Sequence, residues 1–323
     1  MEQKIRSTIV IPNYNGIDYI ENCLESLAGE PAHIIVVDNG SGDGSREVVR
    51  EKFPEVELIC LDQNYGFCKA VNVGISNSKT AYVILLNNDT EIEPGFVRAL
   101  EQPLEWHGEV FSGSAQMRNL HQPELIDDSG DYYCALGWAF ARGKDRPVQE
   151  YQRGCRIFAA CGGAAIYRRK VFDEIGNFDE NHFAYLEDID VGYRARIQGY
   201  YNVYIPKAVV YHAGSAVSGS RHNSFKVKLS AQNSIYLAYK NMPLFQFLLN
   251  MPLLVAGFAV KGFFFAKKGL GRDYFTGLCK GIRLCISAEG RAHKVRFQQE
   301  QLRYYVLIQL ELWRNMWYRF MSR

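Results

Sequence analysis

The sequence lacks the glycine-rich signatures of two large classes of nucleotide-binding protein. No G-x-G-x-x-G follows the first β-branched run, Ser7–Ile11, and no G-x-x-x-x-G-K-[ST] occurs among the 323 residues. Because those loops hold the phosphates of dinucleotides and nucleoside triphosphates, their absence argues against a dinucleotide-dependent oxidoreductase and against a P-loop NTPase.

Paired cysteines are also missing. The eight cysteines include no C-x-x-C pair and no regular spacing, and several lie in apolar segments, as Cys60 does in ELICL. This usage predicts reduced, mostly buried thiols. The N-terminal stretch has too few apolar residues before Pro12 for a signal peptide, so we expect the globular part to stay in the cytosol.

Acidic residues are scarce in the last third of the chain. Residues 221–323 contain 17 Lys and Arg against 4 Asp and Glu, whereas residues 1–220 contain 20 against 31, for a net charge of +2 overall. Such a division predicts an acidic globular part and a basic appendage that faces an anionic partner. Nucleic acid and a membrane surface are the two candidates.

The first hundred residues alternate between apolar runs and helical patterns. Four runs read as buried strands, namely 7–11, 34–37, 56–61 and the run that begins at Tyr82. Continuous apolar strands separated by helices predict an α/β fold with a mostly parallel sheet covered on both faces.

Polar, glycine-bearing loops follow the first three of these strands, PNYNG at 12–16, DNGSGDGS at 38–45 and QNYGF at 63–67, and the polar NNDT at 87–90 follows the fourth. In a parallel sheet such loops converge at one edge, where ligands bind. Asp38 could accept hydrogen bonds from a nucleotide base and ribose, and Asp89 could hold a divalent metal against a phosphate. The alternatives are ordinary turns and a helix cap.

A second set of polar residues lies between 162 and 212. Gly162-Gly163 leads into a short apolar strand, which indicates backbone packed close to a ligand or another strand. In EDID, Asp190 lies four residues before Arg194 and would pair with it on one helix face, leaving Glu187 or Asp188 free to accept a proton. The alternative is a set of capping acids.

A late strand, 202–211, ends at His212. A lone histidine at a strand end is more often structural, although an imidazole that met Asp89 would be a good metal ligand. Residues 93–153 contain Trp138 and adjacent Asp127-Asp128 but give few assignable elements; they predict a variable surface that meets the acceptor.

The order and spacing of these motifs resemble the family-2 glycosyltransferases of the GT-A fold. PNYNG, VVDNGSGDGS, N-x-G-F…N-x-G, LLNNDT, GGAAIYRR, the Glu-Asp pair and the late histidine occur in the family's order, over about residues 5–215. The subgroup it is most similar to is the bacterial rhamnosyltransferase-like enzymes, which build polysaccharides on lipid carriers.

The resemblance implies inverting transfer of a sugar from a UDP- or dTDP-sugar to a hydroxyl of a lipid-linked or polysaccharide acceptor. It implies Asp188, beside Glu187, as the catalytic base, and Asp89 and His212 as ligands of Mg²⁺ or Mn²⁺. Asn87 stands where the family's D-x-D motif has its first Asp, which removes one charge from the metal site. The implied donor nucleotide-binding residues are Pro12, Asn13, Tyr14, Asp38, Asn39, Gly66, Asn72 and Asn88. Those on the acceptor side are Gly162, Gly163, Trp138 and Arg194.

The C-terminal third predicts a second region, 226–323, after a catalytic domain at 1–225. Residues 241–260 carry no charge and could just span a bilayer. Because Gln246, Asn250 and two prolines interrupt this run, helices lying in the interface fit better, with Lys267, Lys268 and Arg272 on anionic headgroups. The alternative is a helical cap that packs on the catalytic domain or forms a homo-oligomer.

Together these patterns predict a membrane-associated glycosyltransferase at the cytoplasmic face of a bacterial membrane. The acidic front part argues against nucleic acid as a partner. A nucleotidyltransferase would share the parallel sheet but would be expected to have a G-x-G-T-R-like loop after the first strand. A catalytically inactive sugar-binding subunit of an assembly complex is the non-enzyme alternative, against which Asp89 and Asp188 both argue.

Overall fold

The computed structural model describes residues 5–214 and 222–321. Within them the strands are β1 (Ser7–Asn13), β2 (Ala32–Asn39), β3 (Glu57–Leu61), β4 (Tyr82–Leu86), β5 (Thr90–Ile92), β6 (Val110–Asn119), β7 (Ile126–Asp128), β8 (Asp131–Cys134), β9 (Trp138–Ala141), β10 (Cys155–Ile157), β11 (Ala164–Arg168) and β12 (Tyr201–His212). The helices before β12 are α1 (Ile20–Ser26), α2 (Ser45–Lys52), α3 (Phe67–Asn77), α4 (Phe96–Trp106), α5 (Arg169–Ile175) and α6 (Glu187–Ile197). Those after β12 are α7 (Ser224–Asn241), α8 (Leu244–Lys267), α9 (Gly271–Ile286), α10 (Ala288–Ala292) and α11 (Leu302–Met321).

The central sheet has the order β10-β12-β6-β11-β4-β1-β2-β3. Strands β4, β1, β2 and β3 are mutually parallel, β11 runs antiparallel between β4 and β6, and β12 is again parallel to β6. The four predicted N-terminal strands, the strand that ends near His212 and the helix that begins at Glu187 are all confirmed. The mostly parallel α/β sheet is therefore confirmed.

Two apolar layers cover the sheet. One packs Ile9, Ile11 and Ile84 against α1 and α4, and the other packs Val10 and Val83 against α3 and α5. Successive residues of β1 and β4 alternate between these layers, as a strand buried on both faces requires. Residues 9–11 of β1 and 82–86 of β4 are buried, so the polar residues that follow them emerge from the end of a closely packed core.

The C-terminal helices pack on the sheet domain through a third apolar cluster. It joins Phe158 and Tyr193 of the sheet domain to Leu237 of α7 and to Ile308 and Leu312 of α11. Beneath it, Lys240 of α7 bonds to Asp179 and Asp190, each at 2.8 Å. The helical region thus shares a core and buried ion pairs with the sheet domain.

Candidate functional site

The site is a cavity of about 1630 Å³ at the carboxyl ends of β1, β2 and β4. Asn88 Nδ2 donates to Asn13 Oδ1 at 2.7 Å, and Asn13 Nδ2 donates to Asp38 Oδ2 at 3.0 Å. Asn39 Nδ2 donates to the carbonyl of Gly66 at 3.0 Å. These bonds join the carboxyl ends of four strands, β4, β1, β2 and β3, so the predicted convergence at one edge occurs.

Thirteen of the sixteen predicted site residues line this cavity. They are Pro12, Asn13, Tyr14, Asn39, Gly66, Asn88, Asp89, Trp138, Gly162, Gly163, Glu187, Asp188 and His212.

Asp38 lies behind the cavity wall. It is wholly buried and accepts from Asn13, from the backbone N–H of Ser41 at 3.0 Å and from the Arg46 guanidinium. The turn at 40–44 lets Arg46 of α2 fold back onto Asp38. The Asp38 carboxylate is already satisfied by these donors, and its contact with a nucleotide base stays a prediction.

Asn72 and Arg194 line a separate cavity of about 860 Å³. Asn72 Nδ2 donates to the carbonyl of Phe178 at 2.8 Å, and Arg194 donates to the carbonyls of Gly176 and Asn177, both at 2.8 Å. Neither side chain reaches the predicted site. Each instead holds the segment between α5 and α6, which corrects their assignments to the donor and the acceptor.

The candidate metal centre is formed by Asp89 and His212. Antiparallel pairing of β5 with β12 sets His212 opposite Thr90, so His212 Nε2 lies 3.2 Å from Asp89 Oδ1. The other ring nitrogen, Nδ1, lies 2.8 Å from Asp127 Oδ2, and Asp127 also pairs with Lys144. The predicted meeting of Asp89 and His212 occurs.

The electrostatics of this pair suit a cation. Burial opposes charge on His212, but the hydrogen bonds to Asp127 and Asp89 outweigh it and raise its pKa to about 9. Burial likewise opposes charge on Asp127, while His212 and Lys144 lower its pKa to about 2. The imidazole therefore carries a proton between two carboxylates where a metal ion would otherwise supply the positive charge.

The donor set fits a divalent metal ion. A carboxylate that fixes one ring nitrogen of a histidine leaves the other aimed at a metal, which is the usual outer contact of a metal-bound imidazole. Here Asp127 holds Nδ1, so Nε2 and Asp89 Oδ1 would bind the ion. Nitrogen and carboxylate donors accept either Mn²⁺ or Mg²⁺.

The second functional group of the cavity is the Glu187-Asp188 pair at the start of α6. The Asp188 carboxylate accepts from the backbone N–H of Ile189 at 2.7 Å, from the N–H of Gly162 and from the side chain of Asp131. Burial raises the pKa of Asp188 despite these bonds, and it raises that of Glu187 well above its usual range. Glu187 Oε2 is buried and has no hydrogen-bond partner among the described residues.

A cluster of buried acids adjoins Asp188. Asp128, Asp131 and Cys161 each place one ligating atom within 4.8 Å of the others. Burial, followed by the charges of neighbouring carboxylates, raises the pKa of Asp128 to about 7 and that of Asp131 well above its usual range. The protonated form of Asp131 is thus favoured, and it donates a hydrogen bond to Asp188.

The loop before α6 is strained. Phe183, Tyr185 and Leu186 all have positive φ, between 59° and 70°, a region that side chains disfavour. Asn233 of α7 donates through Nδ2 to the carbonyls of His182, Ala184 and Tyr185 at 2.8–2.9 Å. The C-terminal region therefore holds the conformation that presents Glu187 and Asp188.

Sequence reasoning missed Asp127, Asp131 and Asn233. The pattern Asp127-Asp128-x-x-Asp131 was a usable signal. Three carboxylates within five positions repel one another, and such clusters are typical of functional sites in clefts. Asn233 left no local signal, since its acceptors lie about fifty residues earlier.

Comparison with known proteins places this geometry in a family. The family model described as "Glycosyl transferase family 2" matches residues 8–176. A curated relative is the N-acetylglucosaminyl-diphospho-decaprenol L-rhamnosyltransferase of Mycobacterium tuberculosis. It is 26% identical over 258 residues, which cover 71% of this chain and 83% of that protein.

Solved structures agree on the fold. GalNAc-T7, solved with UDP, GalNAc and Mn²⁺, matches with a TM-score of 0.59 and 16% identity over 74% of this chain, which spans about half (48%) of that chain. The mannosyltransferase PcManGT of Pyrobaculum calidifontis, solved with GDP-Man and Mn²⁺, matches with a TM-score of 0.52 and 16% identity, covering 96% of this chain and 88% of that one. The match to the family model extends over more than half of the chain, and the sheet has the GT-A architecture. The chain is a member of glycosyl transferase family 2, a rhamnosyltransferase-like glycosyltransferase of the GT-A fold.

Proposed function

We propose that this glycosyltransferase moves a sugar, with inversion, from a UDP- or dTDP-sugar to a hydroxyl of a lipid-linked or polysaccharide acceptor. The relative from M. tuberculosis is named for a lipid diphosphate acceptor and a rhamnosyl donor, and both solved structures carry nucleotides or nucleotide sugars. The observation that carries the proposal is that one cavity contains both the Asp89–His212 pair and the Asp188 carboxylate.

Asp89 and His212 would hold Mg²⁺ or Mn²⁺ at the donor end. When bound, the ion would offset the charge that builds on the leaving diphosphate. Asp127 keeps the imidazole in the orientation that leaves Nε2 free for the ion. Asn87 lines the same wall without a charge, so one carboxylate bears the ionic part of the site.

Asp188 would accept the proton of the attacking hydroxyl. The three donors from Ile189, Gly162 and Asp131 fix its carboxylate and favour the ionised form, while burial keeps it basic enough to act. A single displacement needs one such carboxylate rather than the two of a retaining glycosidase. Glu187 is buried, and burial raises its pKa, so its neutral form would keep water and a second charge away from Asp188.

The test is transfer by the wild type and by Asp188→Asn. Calorimetry with UDP-, dTDP- and GDP-sugars in Mn²⁺ identifies the donor, and product analysis then gives the anomeric configuration. Asp188→Asn should reduce turnover about 10²- to 10⁴-fold while donor binding persists. Unchanged turnover, or a retained anomeric configuration, would remove Asp188 as the base of an inverting reaction.

The metal assignment has its own test. Asp89→Ala and His212→Ala should each weaken metal-dependent binding of the donor about tenfold or more, as the loss of a ligand does. Lys79→Ala, a change outside the cavity, is the control. Donor binding that does not respond to a chelator would contradict the metal site.

We propose that the C-terminal helices dock on an anionic membrane at its cytoplasmic face. Among the described residues, α8 is the helix long and apolar enough to cross a bilayer, with a mean hydropathy of 1.7. Its polar Gln246 and Asn250 are buried and bond to Gln309 of α11, whereas Leu248 and Val255 are more than half exposed. The outer side of α8 is thus apolar, and the side that packs against α11 is polar. This arrangement favours a helix that lies in the membrane–water interface over one that crosses the bilayer.

Vesicle flotation tests this placement. Leu248→Glu combined with Val255→Glu should release the protein from vesicles that contain phosphatidylglycerol, because both charges would enter the acyl region. Glu57→Gln, on the exposed edge of β3, is the matched control. Flotation that survives the double change would contradict the docking face. The domain boundary near residue 225 and a homo-oligomer stay predictions.

A further inference from the structure

The catalytic cavity has a second end, formed by the C-terminal helices and the β8–β9 hairpin. Val260, Lys261 and Phe264 of α8 and Arg319 of α11 line it. Trp138 Nε1 of the hairpin donates to the carbonyl of Gly257 at 3.0 Å, which fixes the hairpin on α8. The hairpin and α8 are therefore held together at this end of the cavity.

Two cations stand at this end without an anionic partner. Lys261 Nζ lies 5.8 Å from the centroid of the Trp138 ring, and the Arg319 guanidinium lies 5.8 Å from that of Phe140. Neither cation forms an ion pair within residues 5–214 and 222–321, whereas Lys240 and Lys144 do.

The surroundings make these charges costly. Burial, with a smaller contribution from the charge of Arg319, lowers the pKa of Lys261 to about 8. Two like charges held together on aromatic faces are stabilised by an anion that bonds to both. Because two unpaired like charges do not stabilise the fold, we interpret them as part of a binding site for an anionic ligand.

The chemical groups that line the cavity match one class of molecule. Val260 and Phe264 of α8 are apolar and 56% and 43% exposed. The same cavity is lined by the cations Lys261 and Arg319 and by the Asp188 carboxylate. A lipid, a phosphate group and a sugar hydroxyl, linked in one molecule, would each meet a partner of matching chemistry there.

We propose that Lys261 and Arg319 bind the diphosphate of a lipid-diphosphate-linked saccharide acceptor, whose chain leaves along the apolar face of α8. The inference rests on the proposed function and assigns the acceptor class of that same cavity. Trp138, predicted as an acceptor-side residue, would pack between the diphosphate and the sugar.

The binding test uses farnesyl diphosphate as the probe, with farnesol and inorganic pyrophosphate as partial probes. EDTA in the buffer removes metal-dependent binding at Asp89 and His212, and Trp138 fluorescence or calorimetry follows the titration. Lys261→Gln and Arg319→Gln should each weaken farnesyl diphosphate binding about tenfold, the usual effect of losing one charge-assisted hydrogen bond. Affinity for farnesol should change less than about twofold.

Lys267→Gln is the matched control, because Lys267 lies on the same helix but its Nζ is 4.5 Å from the Phe263 ring and faces away from the cavity wall. It should leave farnesyl diphosphate binding within about twofold. Lys261→Arg and Arg319→Lys, which keep the charge, should restore most of the affinity and so separate loss of the anion site from loss of the fold.

Three outcomes would overturn the proposal. Farnesyl diphosphate affinity could be equal in all variants, or pyrophosphate alone could bind as tightly as farnesyl diphosphate. Alternatively, Lys261→Gln and Lys267→Gln could reduce binding to phosphatidylglycerol vesicles and to farnesyl diphosphate by the same factor, which would indicate general headgroup attraction.

The failure of this inference is distinguishable from that of the proposed function. Sugar transfer with an acceptor KM unchanged by Lys261→Gln and Arg319→Gln would contradict the anion site alone. Binding of farnesyl diphosphate through both cations, without transfer from any nucleotide sugar, would contradict the proposed function alone.

Discussion

Two carboxylates on one helix, two residues apart, occupy opposite electrostatic surroundings. Asp190 bonds to Arg194 at 3.0 Å, to Lys240 at 2.8 Å and to Asn241 at 2.8 Å. Although burial opposes its charge, Arg194 and Lys240 hold the pKa of Asp190 far below its usual range. Asp188 has other acids rather than a cation beside it, and burial raises its pKa.

The difference shows that one side of the helix contributes to stability while the other carries the reactive group of the cavity. Residues at i and i+2 point to opposite sides of a helix, so α6 turns Asp190 to the seam with α7 and Asp188 to the cavity. A fully compensated carboxylate stabilises the fold and has no reason to take up a proton at neutral pH. An uncompensated one is held at a cost in stability and is suited to proton transfer.

The largest expected effect is on stability, from Asp190→Asn. Removing this charge leaves buried Lys240 and Arg194 with fewer partners, and breaking a buried ion pair costs about 3–5 kcal/mol. Urea unfolding followed by fluorescence measures the change. Asp188→Asn, the matched variant on the opposite face, should change the unfolding free energy by less than about 1 kcal/mol. Equal losses in both variants would abolish the distinction.

Next in size is the effect of Asp131→Ala on catalysis. Asp131 donates to Asp188 and thereby lowers its pKa, so its loss should raise the pKa of Asp188 and shift the acidic limb of kcat/KM to higher pH. We expect about a tenfold loss at neutral pH, the value of one hydrogen bond to a charged group. Asp131→Asn keeps a donor and should restore most of the activity. An unmoved acidic limb would contradict the role of Asp131 as a positioning residue.

A smaller effect is expected from Asn233→Ala, which removes the amide that holds the loop before α6. Three carbonyls lose their donor, and the backbone at Phe183, Tyr185 and Leu186 can relax from its strained conformation. Such strain is worth about 1–3 kcal/mol per residue, so kcat should fall several-fold while donor binding persists. Gln232→Ala, one position earlier on α7, is the control. Loss of activity in both variants alike would point to α7 in general.

The last prediction concerns pH and Asp128. Its pKa of about 7 lies above the unfolded value of 3.8, so the folded protein binds the extra proton and this group lowers stability as pH rises from about 4 to 7. Asp128→Asn removes that penalty and keeps the bond from the N–H of Gly130. The variant should therefore be more stable than wild type at pH 8 and equal to it near pH 4. Denaturant midpoints across this range test the sign.

Much of the catalytic part was predictable because its signals are local. Buried strands such as Tyr82–Leu86 are continuous apolar runs, and the Asp190–Arg194 pair follows from helical spacing. By contrast β6, which lies near the middle of the sheet, was missed. Its FSGSAQ segment alternates small and polar residues because Gly113 packs against Ile205 and leaves no room for a larger side chain.

Contacts between distant segments were beyond local patterns. Arg46 reaches Asp38 only through the turn between β2 and α2, a contact that no local pattern indicates. Lys240 and Asn233 lie on a basic helix, yet both are buried against residues far earlier in the chain. The polar Gln246 and Asn250, read as interruptions of an apolar helix, belong to its inner seam.

The three carbonyls held by Asn233 bear on how such enzymes diversify. The stretch matched by the family model ends at residue 176, before the helix that carries Asp188 begins, and the side chain that fixes this helix's entry comes from α7. A lineage that exchanged its C-terminal helices for others would keep the sheet and the loops at its carboxyl edge. It would lose the hydrogen bonds from Asn233 that hold the loop before α6. New acceptor specificity, gained by recombination after residue 225, would therefore be viable only where the incoming segment supplied an equivalent amide.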